Sequence, residues 1–280
     1  MTRIHQARSR LGVALTALAV FIGMAASGVE IDGRRVMERV QARDDGDDSV
    51  QDMQMILIDK KGNQRIRTMR SYGKDVGDDD YSILFFLSPA DIRDTGFLTY
   101  DYDADDRDDD QWLYLPALKK VKRIASSDKS SSFMGSDFSF ADLTDRNLNK
   151  YKYRLLQEAE VPLIENSVEI MAKVWVVELI PIDEEEINET GYTKSVVFVH
   201  QEHLFPIRVK SWVKKGKRNK YMEVKKLDLI DGVWIATERH MTTKKGKVTL
   251  HKTVLLAKNV RFGKDQGDDY FTIRQLERGL

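Results

Sequence analysis

The residue types able to do chemistry gather in three places. The first is the stretch SSDKSSSFMGSDFSFADL, residues 126–143, with serines at 126, 127, 130, 131, 132, 136 and 139 and the acids Asp137 and Asp142 beside them. A serine nucleophile needs a base, and beyond residue 28 the imidazoles on offer are His200, His203, His240 and His251. No Gly-x-Ser-x-Gly elbow and no Gly-rich phosphate loop occurs, so neither acyl transfer nor nucleotide chemistry has a motif. A hydrolase using Ser136 or a neighbouring serine with Asp137 and a distant histidine stays open as one reading. The second place is HQEH, with His200 and His203 three apart. On a helix this would suit zinc; on a strand His200 and Glu202 share a face and His203 points away. With no third ligand evident, no metal site is expected. The third is DYDADDRDDD, Asp101–Asp110, whose carboxylates suit a hard cation. It lacks the central Gly and distal Glu of a calcium loop and reads as an acidic surface loop.

The elements that must position these groups are mostly strands. Val36, Met37 and Val40 give a short amphipathic helix ended by ARDDGDD. Thereafter the period is two: Met53, Met55 and Leu57 alternate with polar neighbours, and Gly turns such as KKGN and IDGV separate β-rich arms. About ten strands joined by tight turns predict one large curved antiparallel sheet with a few helices. YSILFFL and MAKVWVVELI are apolar on both faces, which requires something packed on each side of the sheet. Ser139 or Asp137 is placed to cap a helical turn through FADLTDR, and the serines and Gly135 suit a mobile linker. The stretch therefore reads as a lid over a cavity mouth.

Of the 280 residues, 32% are charged and 41% hydrophobic, as in a soluble globular chain. The basic n-region MTRIHQARSR, the uncharged run to Phe21 and beyond, and the small residues Ala25–Gly28 spell a signal peptide over residues 1–28, followed by one domain over 29–280. The absence of cysteine excludes disulfides, thiol catalysis and a lipidated N-terminal cysteine. These features suit a soluble periplasmic protein. Charge is segregated: residues 44–110 carry 19 acids against 8 bases, and residues 207–264 carry 17 bases against 4 acids. A nucleic-acid partner is not expected of an exported chain, nor is a cofactor. With no catalytic motif, a hydrophobic carrier is the physical reading that remains, and the interior of a curved sheet is where its ligand would lie.

Four segments also resemble a known family: FFLSPADIRDTGFLTYDY, DDQWLYLPALKKVKRIASSDKSSSFMGSDFSFADL, ETGYTKSVVFVHQEHLFPIRVKSWVKKG and DGVWIATERHMTTKKGKVTLHKTVL. They are similar to the outer-membrane lipoprotein-sorting proteins of the LolA-like superfamily, the second in a branch associated with RND- or MMPL-type exporters. The resemblance implies a half-barrel with a helical lid, and a periplasmic carrier of lipid or lipoprotein acyl chains that is not an enzyme. Cavity or lid candidates are Phe97, Leu98, Trp112, Tyr114, Phe133, Met134, Phe138, Phe140 and Trp175. Arg93 and Arg123 are candidates for the arginine that locks the lid. The competing reading is a non-carrier accessory docking an envelope exporter.

Overall fold

A computed structural model describes residues 32–104, 107–263 and 266–280; the signal-peptide reading of residues 1–28 lies outside them. The helix expected around Val36 is α1 (Gly33–Gln41), capped by Asp32, whose side chain accepts from the Arg35 N–H, and all three apolar residues are buried. The chain then turns to strands: β1 (Asp48–Asp59), β2 (Gln64–Val76), β3 (Asp79–Ser88), β4 (Gly96–Asp101), β5 (Asp110–Leu115) and β6 (Lys120–Arg123). The serine-rich stretch follows as a series of short 3-10 turns. After it come β7 (Tyr151–Glu165), β8 (Val168–Pro181), the helix α2 (Glu184–Thr190), β9 (Tyr192–His200), β10 (Pro206–Val213), β11 (Asn219–Ile230), β12 (Val233–Lys245) and β13 (Val248–Phe262). The last element, α3 (Ile273–Arg278), is capped by Thr272.

The thirteen strands form one curved antiparallel sheet in the order β10-β9-β8-β7-β11-β12-β13-β1-β2-β3-β4-β5-β6. Turn chemistry sets the hairpins. Asp231–Gly232 joins β11 to β12 and Asn166–Ser167 joins β7 to β8, each pair with two positive φ values, as the type I′ turn requires. The count exceeds ten because the hairpin arms run on: Asn219–Ile230 is one strand, bent by an irregularity between Val224 and Lys226. That bend lets the first half of β11 pair with β10 while Lys226 and Leu227 meet β7 in a short parallel bridge. The sheet thus curls back at this end, but β6 at the other end leaves it open.

The strands apolar on both faces have a cover on each. In β3 and β4, Phe86 and Phe97 face the serine-rich stretch, while Ile83, Phe85 and Leu98 face Phe271 and Leu276 of the C-terminal segment. In β8, Trp175, Val177 and Leu179 lie under α1, and Val174 and Val176 join Ile207, Val224 and Leu227 on the other side.

Candidate functional site

Where the sheet curls, α1 does not seal against it. A cavity of about 260 Å³ remains between Met37 and Val40 of α1, Leu179 and Val197 of β8 and β9, Val209 of β10, Met222 and Val224 of β11, and Met241 of β12. Phe138, Ala141 and Asp142 of the serine-rich stretch, with Arg146 just after it, close another side. Most of this wall is apolar, with Arg43, Arg146, Lys220 and Arg239 as its cations.

The serine-rich stretch is folded tightly rather than being a mobile linker. Phe133, Lys129, Ser136, Asp137 and Ser139 are all buried. Ser139 and Asp142 form a reciprocal cap on the turn Phe140–Leu143, as expected for Ser139. Asp137 has a different task from capping. Its carboxylate accepts from Thr253 Oγ1 (2.8 Å) and Thr243 Oγ1 (2.5 Å) and lies 2.7 Å from His251 Nδ1, tying the stretch to β12 and β13. Ser136 turns its hydroxyl to the backbone of Phe138 and makes no bond to His251, so Ser136, Asp137 and His251 do not form a relay. The Arg67 guanidinium donates to the Met134 carbonyl, and Gln111 Nε2 donates to the Phe140 carbonyl at 3.0 Å.

Asp142 holds the segment to the curled sheet. It accepts from Ser139, from Tyr192 Oη at 2.8 Å, and from Lys220 Nζ of β11 at 3.2 Å. Burial pushes its carboxyl up, but Lys220 and these hydrogen bonds outweigh it and hold the group below the usual carboxylate range. Arg146 lies over Tyr151 and Tyr192, with Asp142 and Glu186 near enough to favour its charge. Neither arginine suggested for a lock lies here. Arg93 donates to the Leu87 carbonyl, and Arg123 pairs with Asp110, both at the surface. Lys220 and Asp142 make the ionic link between cover and sheet, and neither can be singled out from sequence without knowing that β11 passes beneath the cover.

Of the nine apolar candidates, Phe138 lines the cavity. Phe97, Phe133, Met134 and Phe140 pack together over β1–β5. Leu98, Trp112 and Tyr114 face α3 on the other side of the sheet. Trp175 lies beneath α1, with the Arg39 guanidinium 5.3 Å from its ring centre. One signal for the true lining was readable: along β12, Arg239 falls two residues before Met241, so strand alternation puts both on one face.

The two histidines differ from the strand expectation. β9 ends at His200 and the turn brings His203 back, so the rings stack at 4.3 Å and both Nε2 atoms face Glu165 Oε2, at 3.6 and 3.2 Å. His203 also stacks on Trp234. His200 Nδ1 accepts the N–H groups of Glu202 and His203, which puts the neutral ring's proton on Nε2. Glu165 thus supplies the third ligand-type atom that the sequence does not show: its Oε2 and the two Nε2 atoms lie within 4.8 Å of one another, buried and without a hydrogen-bond partner, a grouping of metal-ligand type in which His200 Nε2 would have to give up its proton.

The acidic region places aspartates directly opposite one another: Asp75 pairs with Asp80 across β2 and β3, and Asp80 with Asp101 across β3 and β4. Burial, then neighbouring carboxylates, push Asp80 up to about 7 and Asp101 up to about 9. Both are therefore protonated in the fold at mild acid pH. Their contribution is complete below the ordinary carboxylate pKa of about 4 and is lost as pH rises through 7 to 9. Thermal melts should show a lower Tm at pH 9 than at pH 5, and Asp80→Asn should flatten that decline. A Tm that is level across this range in the unmodified protein would contradict the arrangement.

The fold and the sequence have known counterparts. The family described as "Uncharacterized protein" matches residues 78–278. A comparison with curated proteins finds no match. Among solved structures, an outer-membrane lipoprotein-sorting protein domain from Vibrio parahaemolyticus is 33% identical, with a TM-score of 0.76 over 88% of this chain and 98% of its own. A DUF1329 family protein from Desulfovibrio piger is 29% identical, with a TM-score of 0.75 over 87% and 97%. A LolA superfamily protein from Nitrosomonas europaea shares the fold, with a TM-score of 0.63 at 17% identity over 88% and 99%. Identity of 33% to the Vibrio domain over 88% of this chain leaves one assignment: the chain belongs to the outer-membrane lipoprotein-sorting family with the LolA-like fold.

Proposed function

We propose that this protein is a non-enzymatic periplasmic carrier that shelters the acyl chain of a lipid or lipoprotein in the cavity under α1. The observation that carries this reading is an apolar space left open between α1, the Phe138–Arg146 segment and the curled strands, in a region that close packing would otherwise fill. Each methylene moved from water into such a space contributes about 0.8 kcal/mol, so a chain of a dozen carbons is a strong ligand for an enclosed apolar wall. At about 260 Å³ the space lies just below the range of about 300–1,000 Å³ usual for small-molecule sites. It suits a single chain as it stands, and a diacyl cargo would require α1 to lift. Lipoprotein sorting, the role for which the Vibrio relative is named, agrees with such a cargo. An RND- or MMPL-type exporter as the partner that gives or takes the cargo rests on the resemblance of residues 109–143. No helix among the described residues is long and apolar enough to cross a membrane.

The test is titration of the protein with a fluorescent fatty acid, beside a Met222→Trp variant. Met222 is partly buried and lines the cavity, so the larger ring has room to enter it. Saturable binding by the parent and loss of it in the folded variant are expected. Absence of binding by the parent would overturn the carrier reading and favour the accessory that docks an exporter; equal binding by both would place the acyl chain outside this cavity.

A further inference from the structure

Arg239 of β12 makes no hydrogen bond, ion pair or ring contact through its side chain among the described residues. It lies deep in the protein, lining the apolar cavity with Met241, and part of its surface stays accessible. Its charged neighbour is a second cation, Arg43, which follows α1 and lines the same cavity. Arg43 donates to the Val40 carbonyl at 2.9 Å and pairs loosely with Asp45 at 3.4 Å, while its Nε is buried without a partner. Burial first, then Arg43, lowers the Arg239 guanidinium to about 10, so it remains charged at neutral pH. The other cations in the lining are answered within the protein: Lys220 by Asp142, and Arg146 by Asp142, Glu186 and two tyrosine rings; the lining acid Asp145 makes no ion pair with Arg239. A buried charge without a counter-ion is costly, and a guanidinium presents a fork of donors suited to an oxyanion.

We propose that Arg239, with Arg43 beside it, is the counter-cation for an acidic headgroup, a carboxylate or a phosphate, on an amphiphile whose acyl chain lies along the apolar wall. This rests on the carrier reading and narrows it. The cargo is an anionic lipid, and the protein distinguishes it from a neutral one of equal chain length. Charge attracts the ligand to the cavity, and the bidentate fork selects an oxyanion over a hydroxyl.

The experiment compares three probes at pH 8: myristate, lysophosphatidate with a myristoyl chain, and the neutral monomyristoylglycerol. Each is titrated into the parent protein and into Arg239→Met. In the parent, at least one acid should bind about 10–100-fold more tightly than the neutral probe. Whichever of the two acids binds better identifies the headgroup. Arg239→Met should erase that preference by weakening the acids far more than the neutral probe, and should melt no lower than the parent without ligand, because it removes an uncompensated charge. Equal affinity for acid and neutral probes, or an unchanged preference in Arg239→Met, would overturn this inference with the carrier reading intact. Failure of all three probes to bind the parent would overturn both.

Discussion

Phe133→Ala is expected to lower folding stability by about 3–5 kcal/mol while leaving acyl-chain binding nearly intact. Phe133 is 3% exposed, and its ring lies 5.0 Å from that of Phe97 and 5.6 Å from that of Phe140, centre to centre. The aromatic cluster sits over β1–β5, away from the cavity, and holds the serine-rich stretch to the sheet. Truncation loses the transfer energy of the ring and leaves a void that rigid strands cannot collapse to fill. Phe138→Ser should behave in the opposite way, because Phe138 lines the cavity: binding of the fluorescent fatty acid should weaken more than stability does. Urea unfolding and ligand titration on both variants check the division. Parallel loss of stability and binding in both would show that the stretch acts only as core.

The second large effect concerns Lys129, whose side chain is 2% exposed and whose Nζ lies 2.6 Å from Glu189 Oε1 of α2. Glu189→Ala leaves that ammonium buried without a counter-charge and should destabilise the fold by about 3–5 kcal/mol. Replacing both, as Lys129→Met with Glu189→Leu, removes the stranded charge and should recover most of the loss. Denaturant unfolding of the two singles and the double measures the coupling directly. If Glu189→Ala costs less than about 1 kcal/mol, as an exposed pair would, the pair does not hold the stretch to α2.

The parts of the fold legible in sequence are those set by local pattern. The apolar spacing of Val36, Met37 and Val40 specified α1, the Gly turns specified hairpins, and the doubly apolar YSILFFL implied covers on both faces, which the serine-rich stretch and α3 supply. The serine-rich stretch reads as mobile in sequence because its restraints are remote. Asp137 finds Thr253 and His251 more than a hundred residues away, and composition carries no trace of such partners. HQEH was read as continuous strand, whereas the chain turns after His200 and brings Glu165 to both rings. The cavity was the least legible feature. Its walls come from α1, the end of the serine-rich stretch and five strands of the curled sheet, and only the bend in β11 brings them together. Arg239 is visible as a basic residue on the face of Met241, but its lack of an ion-pair partner is a property of the folded protein.

The most direct measurement of the central claim is native mass spectrometry of the protein recovered from a bacterial periplasm, with extraction and identification of whatever lipid it carries. A bound acyl lipid that is retained by the parent and missing from folded Met222→Trp is the predicted result. A parent that flies free of lipid, and stays free after incubation with acyl lipids, would contradict the account.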